Sequence, residues 1–330
     1  MPGARDHPRV LNASVMEDQL LLKVTERDLI AEDVLALTIS SEDGAELPGW
    51  KPGAHIDLEL ETGLVRQYSL CGDRGERHSY RVAVLNEPNS RGGSRFVHSR
   101  LHVGHTLNVR GPRNHFALES SPRYLFIAGG IGITPILPMI DEVNGRGLEW
   151  RLVYGGRNRR SMAFVDDLVG RYAGRVDIWP QDVRGLIDLS GLLDEPVDDT
   201  LIYCCGPEGL LAAVEDGSRK WPKTALHVER FAAKPSLGAG EGRSFEVELA
   251  RTGCTVTVSQ GVSIIDAIAS AGVEIPFSCR EGVCGTCETP VLGGVPDHRD
   301  SVLTDEERQA CDVILPCVSR ALTEKLVLDL

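Results

Sequence analysis

Three of the nine cysteines in this 330-residue chain fall inside one nine-residue stretch, CREGVCGTC, from Cys279 to Cys287. The gaps are four residues and then two, and Cys317 follows after a further 29. Converging sulfur ligands constrain a chain more tightly than any apolar pattern, since they force a short loop around one point. A disulfide scaffold, a zinc knuckle and an iron–sulfur loop can each begin this way, so the rest of the sequence has to choose.

Composition narrows the choice. At 42% hydrophobic and 25% charged residues the chain reads as folded through most of its length, and it is long enough for two or three domains. The opening MPGARDHPRV carries charges but no apolar run, and no segment approaches the ~18 uninterrupted apolar residues of a membrane helix. The expectation is a cytoplasmic protein with no membrane association. In that reducing compartment clustered cysteines bind metal or do redox chemistry more often than they form disulfides. A net charge of −13 argues against nucleic acid as a partner. It leaves a basic protein partner open.

Three rhythms follow one another. From Leu20 to about Leu118, short β-rich runs (LLLKVTE, VLALTIS, HIDLEL, RQYSL, YRVAVL, HTLNVRG) alternate with turns, which predicts an antiparallel barrel or sandwich. After Ser120, unalternated apolar runs (YLFIAGG, WRLVYGG, RVDIW, LIYCCG) are separated by longer helical stretches, which predicts a parallel sheet with crossover helices. AAKPSLGAGEGR, from Ala232, reads as a linker. SFEVELA and TVTVSQ then form a hairpin, followed by helices opened by Ser263/Asp266 and Thr304/Glu307 in capping-box spacing.

The cysteine gaps are those of plant-type [2Fe–2S] ferredoxins. Gly282 and Gly285 let the loop bend so that backbone N–H groups face the inorganic sulfurs. The region from about Phe245 to Leu330, with PFSCREGVCGTC, resembles a ferredoxin domain, with Cys279, Cys284, Cys287 and Cys317 as the iron ligands. Structural zinc pairs two knuckles, whereas Cys317 stands alone in LPC. His227-Val228-Glu229 has the H-x-E of zinc deaminases but lacks their P-C-x-x-C partner. Cys71, Cys254 and Cys311 have no ligand spacing and read as small buried hydrophobes.

In LFIAGGIGITPILPMI, Gly129, Gly130 and Gly132 join an apolar strand to a helix, with Thr134 as N-cap and Pro135 at the first helical position. Such a junction turns free N–H groups and the positive helix end toward a diphosphate. Farther on, Cys205-Gly206-Pro207 in YCCGPEGLL resembles the nicotinamide edge of the ferredoxin reductase superfamily and places Cys205 near the nicotinamide. A nicotinamide gives up two electrons together, and a [2Fe–2S] cluster accepts one. A chain with both ends therefore implies a flavin between them.

RQYSL matches the R-x-Y-S element of that superfamily: Arg66 to pair with the flavin phosphate, Gln67 beside it, Tyr68 to pack on the flavin, Ser69 to bond the ring near N5. Gly92, Gly93 and Ser94 in NSRGGSRFVH offer a second phosphate contact, and Phe231 in HVERF is the candidate aromatic shield. The order of these elements resembles the phthalate dioxygenase reductase family. That resemblance implies a multidomain fold: an antiparallel β-barrel flavin domain (16–118), an α/β parallel-sheet nucleotide domain (119–231), a linker (232–243) and an α+β, β-grasp ferredoxin domain (244–330). It implies FMN, a [2Fe–2S] cluster and NADH (or NADPH) as cofactors, with Ser69, Cys205 and Phe231 around the reacting atoms. Relatives often carry a basic residue where this chain has Leu85. Arg157, in YGGRNRRSMAF, lies where an adenosine ribose would be, and Arg159 and Arg160 follow. The implied acceptor is a Rieske-type terminal oxygenase. A haem-thiolate monooxygenase as acceptor or fusion partner is the alternative, and a zinc-stabilised binding protein the third reading.

Overall fold

The computed structural model describes residues 19–330 apart from 62, 89 and 233–241. The expected linker and the first residues of the expected flavin domain thus fall largely outside the described residues. Six antiparallel strands make the first sheet: β1 (Leu20–Ala31), β2 (Val34–Ser41), β3 (His55–Glu61), β4 (Leu64–Ser69), β5 (Ser79–Leu85) and β6 (Thr106–Arg113). Their order is β4-β3-β6-β1-β2-β5, and a single bridge from Leu70 to Val82 brings the two edge strands together into a barrel. Alternation sends Leu22, Val24, Ile56, Leu58, Val82 and Val84 into the barrel core. Apart from that bridge, β4 pairs only with β3 and keeps an edge free. Helix α1 (Gly93–Ser99) follows β5.

The second sheet is wholly parallel: β7 (Arg123–Gly129), β8 (Glu149–Gly156), β9 (Val176–Pro180), β10 (Thr200–Cys205) and β11 (Leu226–Glu229), in the order β11-β10-β7-β8-β9. Its strands are apolar because helices cover both faces: α2 (Ile133–Gly145) and α3 (Val165–Arg171) on one side, α6 (Glu208–Gly217) on the other, with short turns α4 (Gln181–Arg184) and α5 (Ser190–Leu193) between. The α2 face is continuous with the barrel. Val34, Cys71, Ala83 and Phe116 share one core with Tyr124, Phe126, Ile136 and Met139.

The third unit has its own core. β12 (Phe245–Leu249) and β13 (Cys254–Val258) form the hairpin; α7 (Ile264–Ser270) starts at Ser263, whose hydroxyl accepts from the Asp266 N–H at 3.1 Å. β14 (Thr289–Gly293), β15 (Pro296–Asp297), α8 (Asp305–Ala310), β16 (Val313–Ile314), β17 (Arg320–Ala321) and β18 (Lys325–Leu328) follow. α8 opens with both halves of the Thr304/Glu307 capping box. The five-stranded order is β13-β12-β18-β14-β16, so β18, pairing parallel to β12, is the central strand. Cys71 is buried; Cys254, the first residue of β13, is half-buried against the core of this unit, and Cys311, at the end of α8, is half-buried too, so neither is fully buried as expected. Among the described residues no helix is long and apolar enough to cross a membrane.

Candidate active site

One pocket draws its walls from all three units. β4 contributes Gln67, Tyr68 and Ser69; the end of β11 contributes Val228, Glu229, Arg230 and Phe231; the cysteine-bearing unit contributes Val283, Ser301 and Val302. His55 and His115 complete it from the barrel. The placement of 67–69 follows from topology, since β4 is an edge strand and presents its side to the pocket. Arg66 lies on the same strand, about 10 Å from Ser69 at ~3.3 Å per residue. Its guanidinium lies along the RGGS turn, donating to the Val65 and Arg91 carbonyls at 2.8 and 2.9 Å. Gly93 approaches the Arg66 stem so closely that a Cβ there would come within 2.5 Å of it. The Ser94 hydroxyl accepts from the Glu87 N–H at 3.1 Å. Leu85 instead packs beside the apolar core that the barrel shares with the second sheet.

The buried polar atoms of this pocket include donors with no protein partner: Nε2 of Gln67 and Nε2 of His55. A polar ring with carbonyl and imine acceptors is the kind of group that would satisfy them, so the pocket fits a flavin. Burial holds the Tyr68 hydroxyl well above its ordinary pKa, so the ring stays neutral. Phe231, 43% exposed, stands at the mouth. Burial, reinforced by Arg113 and His115, drives His55 down to about 3, so its imidazole is neutral.

Glu229 escaped the sequence reading except as part of a zinc-site lookalike. Its carboxyl is raised to about 8 by burial, with the Ser69 hydroxyl bonded to it pulling the other way. Cys205 Sγ lies 4.0 Å from it, and burial, then Glu229, keeps that thiol protonated. Ser69, Glu229 and Cys205 therefore form a neutral chain from the pocket into the second sheet. Arg230 is buried and clamped by Glu208 and Glu215 of α6 at 3.1 and 2.8 Å, which fixes the strand end that carries Phe231. His227 stacks on Tyr203 at 4.6 Å and is structural.

The glycine-rich turn and the CGP turn close on each other between β7 and β10, where the strand order reverses direction. Open parallel sheets bind ligands at that crevice. A Cβ on Gly132 would come within 2.3 Å of the Cys205 carbonyl oxygen, so only glycine permits the approach. The helix start differs from expectation. A 3₁₀ turn over Gly130–Gly132 runs straight into α2, making Gly132 the N-cap; Thr134 is the second helical residue, buried, its hydroxyl donating to the Ile131 carbonyl at 2.9 Å, and Pro135 the third. Arg157 follows β8 directly and its carbonyl accepts from the Asp182 N–H at 3.1 Å, while Arg159 pairs with Asp166 at 2.7 Å.

The four thiols of Cys279, Cys284, Cys287 and Cys317 face one another: Cys279 meets Cys284 and Cys317, and Cys317 meets Cys287. Among the described residues no three metal-ligating side chains meet on a single ion, whereas a two-iron cluster shares its ligands two and two. The N–H of Glu281 points at Cys279 Sγ (3.3 Å) and that of Thr286 at Cys284 Sγ (3.4 Å). Ser278 Oγ is buried without a partner, ready to donate to inorganic sulfur, and the Thr286 hydroxyl reaches the Cys284 thiol. Asp300 accepts from the Val302 and Leu303 N–H groups at 3.0 and 2.8 Å and shapes the turn that sends Val302 to the pocket. Cys279 is partly exposed; the other three cysteines are buried.

A pocket on a barrel edge, a nucleotide crevice and a four-cysteine loop in one chain define an electron-transferring oxidoreductase. The 2Fe-2S iron-sulfur cluster binding domain family matches residues 247–322. The chain is 44% identical to phenoxybenzoate dioxygenase subunit beta of Ectopseudomonas oleovorans over 302 residues, 91% of this chain and 94% of that one. It is 35% identical to phthalate dioxygenase reductase of Burkholderia cepacia over 322 residues, 94% and 97% of the two chains. A solved phthalate dioxygenase reductase, described as a modular structure for electron transfer from pyridine nucleotides to [2Fe–2S], superimposes with a TM-score of 0.70 at 35% identity over 94% of this chain and 98% of that one. An intact type IV self-sufficient cytochrome P450 monooxygenase superimposes with a TM-score of 0.90 at 43% identity, over 94% of this chain but only 41% of that one. The chain belongs to the phthalate dioxygenase reductase family. It is an NAD(P)H-dependent reductase with a [2Fe–2S] cluster domain, supplying electrons to an oxygenase, and the zinc-stabilised binding protein reading is set aside.

Proposed function

We propose that this cytoplasmic reductase serves a Rieske-type aromatic oxygenase or demethylase, and that its functional units run 16–118, 119–231 and 244–330 around a linker at 232–243. The single observation that carries the relay is the shared pocket, because residues of all three units meet there. FMN in it would convert paired electrons from the nicotinamide into single ones for the cluster. Arg66, with Gly92, Gly93 and Ser94, would hold the phosphate; Gln67 and Tyr68 would hold the ring; Ser69 would donate toward N5. Glu229, protonated at neutral pH, keeps Ser69 oriented and adds no charge beside the ring. Gly129, Gly130, Gly132, Thr134 and Pro135 with Gly206 and Pro207 cradle the dinucleotide, Arg157 meets the adenosine end, and Cys205 lies by the nicotinamide. Phe231, at the pocket mouth, would shield the ring and yield its place to the nicotinamide, so that hydride transfer could occur at the roughly 3 to 3.5 Å it needs. Cys279, the least buried of the four ligands, marks the edge from which electrons leave.

A second reading has its own observation: the self-sufficient monooxygenase superimposes with a higher TM-score than the phthalate dioxygenase reductase, over only 41% of its own chain, which keeps a haem-thiolate acceptor as the alternative. Anaerobic titration with NADH and NADPH, followed optically and by EPR, tests the relay, and reconstitution with each oxygenase class separates the acceptors. Reduction of neither cofactor by either nucleotide would sink the proposal.

A further inference from the structure

His115 follows β6 on a segment that is pinned on both sides. Arg113 pairs with buried Asp57 at 2.5 Å, and Asn114 donates to the Pro52 carbonyl at 2.8 Å while accepting from the Phe116 N–H at 2.9 Å. The imidazole of His115 stacks on His55 with centroids 5.7 Å apart and planes 26° from parallel. His55 is itself paired with Ser69 across β3 and β4, so the stack is rooted in the flavin pocket wall. Its other end meets the cysteine loop. A Cβ on Gly285 would come within 2.6 Å of His115 Cε1 and Nε2, and Gly285 adopts a φ of +69°, so the ring fits against bare backbone between Cys284 and Thr286.

We infer that His115 is a positioning residue that seats the iron–sulfur loop on the flavin-binding barrel, setting the separation between pocket and cluster through its ring contact with Gly285. The inference rests on the reading of the pocket as the flavin site. Nothing is bonded or transferred at His115; its role is to hold a distance. The rim pair Arg91–Glu281, with one contact at 2.7 Å, lies alongside but is exposed on the arginine side, so it cannot fix that distance alone.

The test compares His115→Ala and His115→Phe in the full-length holoenzyme, with flavin and iron content checked first. Hydrogen exchange of residues 282–287 reports seating without turnover. Stopped-flow separates flavin reduction by NADH from cluster reduction. His115→Ala is expected to speed exchange in that loop and to slow cluster reduction several-fold more than flavin reduction, since electron transfer falls off steeply as donor and acceptor move apart. His115→Phe, which keeps a flat ring, is expected to restore most of both. Adding Gly285→Ala is expected to cost less in the His115→Ala background than alone, because the two occupy the same space. Unchanged loop exchange in His115→Ala, or equal slowing of the two steps, would overturn the inference. Loss of flavin from both variants would overturn it too, by showing that the ring serves the pocket itself. A wild-type protein that binds no flavin would instead sink the underlying pocket reading.

Discussion

Where the barrel meets the nucleotide sheet, Val34, Ala83 and Phe116 lie in one apolar core with Tyr124, Phe126 and Met139; where it meets the cysteine loop, the contacts are an imidazole on a glycine, an arginine–glutamate pair and the short turn at Ser301–Val302. The first junction stabilises by roughly 25 cal/mol for each Å² of apolar surface removed from water and has no cheap way to open. The second has the polar character of interfaces whose partners come apart. Hydride transfer needs a fixed geometry between nicotinamide and flavin. Delivery of single electrons to an outside protein needs a cluster that can be reached. The two junctions divide those requirements.

The sharpest way to separate the two sides is Cys284→Ser. It is expected to abolish reduction of a one-electron protein acceptor while NAD(P)H-to-ferricyanide turnover continues; equal loss of both would show the sides to be inseparable. Phe116→Ala attacks the apolar junction, where Phe116 packs edge-on to Tyr203 at 5.4 Å. Urea unfolding is expected to show a loss of about 3–5 kcal/mol. Stability unchanged by that truncation would remove the contrast between the junctions. Glu229 gives a milder, pH-dependent effect. Its carboxyl titrates near 8 in the folded chain against 4.5 ordinarily, so the folded state holds the extra proton. That contribution is complete below about pH 4.5 and is lost as pH rises through 8, on the order of a few kcal/mol at most. Glu229→Gln is expected to flatten the fall in thermal stability between pH 5 and 9; an identical slope would remove the buried acid from the account. Arg91→Gln is the smallest perturbation, worth ~0–1 kcal/mol as an exposed pair. It is expected to leave unfolding unchanged and to reduce the salt dependence of cluster-loop exchange.

The fold was legible wherever one residue type has one physical use. The cysteine gaps, the β-barrel runs and the Thr304/Glu307 cap all follow from ligand geometry, alternation and orphan helix donors, and each is where the sequence placed it. The start of α2 was misplaced because a 3₁₀ turn of two glycines and an isoleucine leads into the helix, so Gly132 takes the capping position that Thr134 was expected to hold. Glu229 and His115 were not legible at all. A single carboxylate in a strand and a single histidine after one acquire meaning only from what folds against them, Ser69 in one case and Gly285 in the other. The shared core of barrel and nucleotide sheet was hidden for the same reason, since Val34 and Ala83 read as ordinary strand residues.

The position of β18 at the centre of its sheet bears on how the protein is made. Until Lys325–Leu328 have left the ribosome, the β12–β13 hairpin has no inner neighbour and Val247 and Leu249 lack the strand that covers them. The barrel and the nucleotide layer need no residue from this unit for their own sheets, so synthesis can complete them first. The sheet of the cysteine loop's unit is thus complete only once its central strand, the last in chain order, is available.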